Sequence, residues 1–120
     1  MASRSNDVGF SPKLYAGKVV LVTGAGSQFG IGRSIVLGAA RAGAAVVYAT
    51  DLNAGNFDAL KEAAREVNPA TRIEGRVLDA ASEEETLTLV KNVVREHGRL
   101  DVYFANAGLA DVKYFRNVRN

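Results

Sequence analysis

Thr23-Gly24-Ala25-Gly26-Ser27-Gln28-Phe29-Gly30-Ile31-Gly32 joins a short apolar run to a helical one. The run before it, Lys18-Val19-Val20-Leu21-Val22-Thr23, is β-branched and reads as a strand buried on both faces. After it, Gly30 to Ala42 reads as a helix with Ile31, Ile35, Val36 and Ala39 along one face. Four glycines stand in the turn between them. Side chains there would keep a phosphate away from the backbone. Glycine lets the chain turn tightly, and the helix start offers free N–H groups and the positive end of its dipole to an anion. A second reading of the same glycines is close packing of the helix on the sheet.

The pattern repeats further along. Ala44 to Thr50 reads as a second buried strand, and Asn56 to Val67 as a helix with Phe57, Leu60, Ala64 and Val67 inward. Asn68-Pro69 ends that helix. Thr71 to Leu78 is a more polar strand, expected nearer a sheet edge. Ser82 opens a third helix, where Ser82 with Glu85 has capping-box spacing and Glu83 and Glu84 suit the positive start. Leu87, Val90 and Val94 are expected on its buried face, and His97-Gly98 closes it. Asp101 to Ala105 is a fourth, apolar strand. The order β-α-β-α-β-α-β predicts an α/β fold with a parallel sheet of about four strands and helices on both faces.

Length and composition narrow the function. The 120 residues suit one domain, and 48% hydrophobic with 23% charged residues is the balance of a globular chain. There is no cysteine, which excludes disulfides, thiolate metal sites and cysteine nucleophiles, and one histidine leaves little for any metal site. The net charge is +2, with the basic excess in the flanks 1–17 and 106–120, so no basic stripe suggests nucleic acid. No apolar run approaches the roughly 20 residues of a membrane span. Met1 to Ser11 lacks an apolar signal core, so a cytoplasmic address is the expectation. Residues 1–17 read as a flexible arm, 18–110 as the folded unit and 111–120 as an irregular basic tail.

Asp51 ends the second strand about 20 residues after the glycine turn, the spacing at which a carboxylate meets a ribose. It can accept hydrogen bonds from both ribose hydroxyls and would repel a 2′-phosphate. NAD(H) is therefore expected in preference to NADP(H). A second reading of Asp51 is as a cap for the next helix, a role compatible with the first.

Together these residues resemble the short-chain dehydrogenase/reductase family over roughly residues 15–110. Thr23-Gly24 with Gly30-Ile31-Gly32-Arg33 is similar to that family's Thr-Gly-x-x-x-Gly-x-Gly signature. Asp79 resembles its adenine-contacting aspartate. Gly98-Arg99-Leu100-Asp101 and Ala105-Asn106-Ala107-Gly108 resemble its Gly-x-Leu-Asp and Asn-Asn-Ala-Gly segments. The resemblance implies a Rossmann fold and nicotinamide-dependent alcohol/carbonyl interconversion, in homodimers or homotetramers. It places the cofactor against Thr23, Gly24, Gly26, Ser27, Gln28, Gly30, Ile31, Gly32, Asp51, Leu52, Asp79, Ala80, Asn106, Ala107 and Gly108. Two departures stand out. Gly30 and Gly32 fit the signature only if the loop is two residues longer, with Ser27 and Gln28 in the insertion. Ala105 replaces the first asparagine of the last motif, which is expected to weaken a sheet hydrogen bond more than a cofactor contact.

The family's chemistry needs a tyrosine as general acid or base with a lysine four residues on, and a serine near the substrate oxygen. Tyr15, Tyr48, Tyr103 and Tyr114 are followed at that spacing by Val19, Leu52, Ala107 and Val118. No catalytic residue is therefore assigned, and no metal ligand. Tyr48 and Tyr103 are expected as core or sheet-face residues. The sequence reads as a partial Rossmann fold truncated after the fourth strand. A small-molecule alcohol or ketone would then be a partner only of a full-length form. The alternatives are a non-catalytic dinucleotide-binding module and a truncated product without activity. With a second face half covered, the apolar side chains of strands one and four are expected to stay wet. Self-association through the uncovered edge of strand four follows as an expectation.

Overall fold

The computed structural model describes residues 13–25 and 30–106. Seven elements follow in order: β1 (Val19–Val22), α1 (Ile31–Arg41), β2 (Val46–Asp51), α2 (Phe57–Val67), β3 (Arg72–Val77), α3 (Glu83–His97) and β4 (Val102–Phe104). The strands form one parallel sheet in the order β3-β2-β1-β4. Chain order reverses between β1 and β4, so the sheet has the first four strands of a Rossmann arrangement. The fold expected from the sequence is the fold observed.

Two apolar clusters hold the layers together. On one face Val20, Val22, Val47 and Ala49 pack with Val36 and Ala39 of α1 and Leu60 of α2. On the other, Val19, Leu21, Val46 and Tyr48 pack with Leu89 and Val93 of α3. Strand alternation explains the division, since successive side chains point to opposite faces. Gly75 in β3 makes room for one contact of α2, because a Cβ there would sit 2.7 Å from the Phe57 ring.

The structure corrects several side-chain expectations. Leu89 and Val93 are the buried residues of α3, whereas Leu87 and Val94 are exposed and Val90 is half-buried. Both sets repeat at helical spacing, and only packing against Leu21 and Tyr48 selects the stripe that turns inward. In α1 the contact is made by Gly32, Val36, Ala39 and Ala40, while Ile31 is 71% exposed. β1 does not stay wet: Val19 and Leu21 are buried under the α3 cluster. Its central place between β2 and β4 leaves no flank open. β4 does retain exposed surface, with Tyr103 at 46%.

Residues 13–17, read as part of the arm, form a turn, and the Tyr15 N–H donates to the Ala42 carbonyl at 2.9 Å. At the bottom of the sheet, Asp101 ties β4 to β1. Its carboxylate accepts the Val19 N–H at 2.8 Å and the Arg99 guanidinium at 2.9 Å. The Val19 hydrogen bond, with Arg99 beside it, holds the Asp101 carboxyl below the usual range.

α3 is pinned at its far end. Gly98 closes it in the left-handed conformation at φ 77°, its N–H donating to the Val94 carbonyl at 2.7 Å. Just before it, the buried Tyr48 hydroxyl lies 2.8 Å from His97 Nε2 and 3.2 Å from Glu96 Oε1. The hydroxyl has one proton, and a carboxylate only accepts. Tyr48 therefore donates to Glu96, and His97 Nε2–H donates to Tyr48. Burial, reinforced by the Glu96 charge, pushes the Tyr48 phenol above its ordinary value.

Candidate functional site

All four strands run the same way, so their C-terminal ends share one rim. Thr23 and Gly24 follow β1, Asp51 ends β2, Asp79 and Ala80 follow β3, and Asn106 follows β4. The sheet order thus gathers sequence-distant residues into one row. Gly26, Ser27, Gln28, Ala107 and Gly108 lie outside the described residues.

The row is cross-braced by hydrogen bonds. Thr23 N–H donates to the Phe104 carbonyl at 3.0 Å, and Asn106 N–H donates to Thr23 Oγ1 at 2.8 Å. Ala25 N–H donates to the Thr50 carbonyl at 2.9 Å, which ties the start of the glycine turn to the end of β2. Leu78 N–H donates to the Asp51 carbonyl at 2.8 Å. Ala105 is exposed, and it is the neighbouring Asn106 that reaches the turn.

The glycines of the turn do separate jobs. Gly24 takes φ 68°, a conformation that disfavours a side chain. Gly32 lets α1 approach the turn closely: an added Cβ would lie 2.3 Å from the Gly24 carbonyl oxygen and 2.8 Å from the Asn106 amide nitrogen. The packing reading of these glycines is therefore correct for Gly32. It does not compete with the anion reading, because close approach is what brings the helix start to the rim.

The start of α1 differs from the start of α3. Gly30 is its N-cap, no side chain caps it, and no acidic residue stands in its first turn. α3 has Ser82 as a cap, accepting the Glu85 N–H at 3.1 Å, and three glutamates in its first turn. Orphan N–H groups at a helix start call for a partner. At α3 the chain supplies one from its own side chains. At α1 it supplies none among the described residues, which suits an incoming anion.

Asp51 is half-buried at the end of β2, with Asn53 N–H donating to its Oδ1 at 3.3 Å. It does not cap α2, whose N-cap is Asn56. Leu52 beside it is 70% exposed. Asp79 is fixed more tightly: its Oδ1 accepts the Ala81 N–H at 2.9 Å and its own N–H donates to Glu85 Oε1 at 3.1 Å. From its spacing, Glu85 is expected only as the capping-box partner of Ser82. Its carboxylate returns to Asp79 instead. Among the described residues no group of acidic or histidine side chains could hold a metal ion.

Residues 18–120 match the protein family described as short chain dehydrogenase. The chain belongs to the short-chain dehydrogenase family. Members of this family bind NAD(P)(H), and a helix start uncapped among the described residues, with the carboxylate at the end of β2, fits that cofactor. The chain is 36% identical over 100 residues to chanoclavine-I dehydrogenase ifgE of Penicillium roqueforti, covering 83% of this chain and 38% of that protein. A short-chain dehydrogenase crystal structure from Mycobacterium smegmatis superposes with a TM-score of 0.66 at 32% identity, covering 78% of this chain and 38% of that one. NAD+-bound xylitol dehydrogenase gives a TM-score of 0.64 at 33% identity, covering 76% and 33%. This short-chain dehydrogenase chain thus spans well under half the length of such relatives. No helix among the described residues is long and apolar enough to cross a membrane.

Proposed function

We propose that this chain is the nicotinamide-dinucleotide-binding portion of a short-chain oxidoreductase acting on alcohol or carbonyl groups, with NAD(H) preferred over NADP(H). The observation that carries the reading is the N-terminus of α1, uncapped among the described residues, on the same rim as Asp51. In this reading the pyrophosphate lies against the backbone of the glycine turn, from Thr23 and Gly24 through Gly26, Ser27 and Gln28 to Gly30, Ile31 and Gly32. Asp51 accepts from the adenosine ribose hydroxyls, and its charge opposes a 2′-phosphate. Leu52 lies beside the adenosine, Asp79 and Ala80 take the adenine edge, and Asn106, Ala107 and Gly108 flank the cofactor's middle.

When bound, the nicotinamide supplies hydride transfer. The chain's own residues bind and orient it. None of the four tyrosines carries a lysine four residues on, so proton transfer to a substrate is not assigned to these 120 residues. Relatives named for chanoclavine and for xylitol carry different substrates in their names, and this chain covers 38% and 33% of them. In this reading the protein works in the cytoplasm, and residues 18–110 are the cofactor-binding unit. Among the described residues β4 pairs only with β1 and carries exposed Tyr103, which makes it the edge through which copies would associate.

Calorimetric titration with NADH and NADPH, followed by a turnover test, examines this reading. NADH binding without turnover is expected. Turnover by the 120-residue chain would contradict the assignment of proton transfer elsewhere.

A further inference from the structure

From the loop after β3 we infer that Glu85 is a positioning residue for the adenine end of the cofactor, acting through the main chain of Asp79. The inference rests on the reading that Asp79 faces the adenine. In a reciprocal capping box the glutamate returns to the N–H of the cap residue. Here that N–H is already engaged, since Ser82 donates to the Asp79 carbonyl at 2.9 Å. The Glu85 carboxylate reaches three residues further back and accepts the Asp79 N–H at 3.1 Å.

Asp79 is therefore held at three points. Its N–H goes to Glu85, its carbonyl to Ser82, and its Oδ1 to the Ala81 N–H. One peptide earlier, the Val77–Leu78 plane is held by Leu78 N–H on the Asp51 carbonyl. Turning the Leu78–Asp79 peptide plane would swing the Asp79 carboxylate off the rim. The bond that Asp79 N–H gives to Glu85, a side chain of α3, lies on this plane itself. It links Asp79 to a helix anchored at its far end by Tyr48 through Glu96 and His97. A carboxylate in this place also brings negative charge next to Asp79. That suits a neutral, hydrogen-bond-donating base and opposes a phosphate at this end of the rim.

The test uses the 120-residue chain and three probes: AMP, NADH, and reduced nicotinamide mononucleotide, which has no adenine. Glu85→Ala is expected to weaken AMP and NADH binding about three- to tenfold, the scale of one hydrogen bond, and to leave the mononucleotide unchanged. Glu85→Gln, whose amide oxygen still accepts the N–H, restores AMP binding to within about twofold of wild type. Ser82→Ala removes the cap of the same helix. It lowers the melting temperature at least as much as Glu85→Ala, yet holds AMP affinity within about twofold. Unchanged AMP binding in Glu85→Ala, or an equal loss in Ser82→Ala, overturns the inference while leaving the site reading intact. Unchanged AMP binding in Asp79→Ala removes Asp79 from the site and overturns both.

Discussion

Gly32 sits so close to Gly24 that a single methyl group on it would lie 2.3 Å from the Gly24 carbonyl oxygen. The contact joins the first turn of α1 to the end of β1, and the same methyl would meet the Asn106 side chain at 2.8 Å. Backbone cannot yield as a flexible side chain can. Gly32→Ala is expected to destabilise the chain by about 2–3 kcal/mol and to abolish NADH binding by displacing the helix start. Gly38 lies in the same helix, and a methyl group added there would meet nothing within 4 Å. Gly38→Ala should instead stabilise by about 0.5–1 kcal/mol through helix propensity. Thermal melts of the two variants check the contrast, and equal effects would remove the close-approach argument.

Asp51→Ala should weaken NADH binding and relax the discrimination against NADPH. One or two hydrogen bonds to ribose hydroxyls predict a loss of roughly tenfold. Parallel titrations with both dinucleotides give the answer. If neither affinity moves, Asp51 is not in the site.

Tyr48→Phe deletes the hydroxyl shared by Glu96 and His97. The expected cost is about 1–2 kcal/mol, with faster amide exchange in the last turn of α3 and little change elsewhere. Tyr48 also ties stability to alkaline pH. Its folded pKa is raised above the ordinary phenol value, so its contribution is complete below the unfolded pKa of about 10. That contribution is lost as pH rises through the folded value. Phenolate absorbance should show an ionisation above the ordinary phenol value that Tyr48→Phe removes.

The Asp101 carboxyl has the opposite sign. Its folded pKa is depressed by the Val19 N–H and Arg99, so its contribution is present above the unfolded pKa of about 3.9 and disappears as pH falls through the lower folded value. Asp101→Asn should melt lower than wild type at neutral pH and converge with it in acid. Melting curves across that range decide it; a gap that widens in acid would contradict the assignment.

Much of the architecture is legible in the residues. The runs at β1 and β2 are apolar on both faces because both faces are covered, and the polar β3 lies at the edge. Helix ends are readable where a side chain or a glycine sets them, as at Ser82 and Gly98. The inward face of α3 is not. Leu87, Val90 and Val94 repeat as well as Leu89 and Val93, and only the position of Leu21 and Tyr48 beneath the helix separates the two stripes. Ile31 misleads for a related reason: at the first turn of α1 the close contact is made by a glycine, which carries no hydrophobic signal. The rim residues Thr23, Gly24, Asp51 and Asp79 can be named from spacing, since each stands at a strand end. The Tyr48–His97 pair and the Glu85–Asp79 bond cannot. The first joins residues far apart in sequence, and in the second the spacing predicts a different partner for the same carboxylate.

In the proposed site the start of α1, uncapped among the described residues, and the carboxylate of Asp51 together hold a nicotinamide dinucleotide lacking a 2′-phosphate. Calorimetric titration of the 120-residue chain with NADH and, in parallel, NADPH tests it most directly. Saturable binding of NADH, clearly tighter than that of NADPH, is the predicted result. No heat with NADH, or an affinity for NADPH equal or greater, would contradict it.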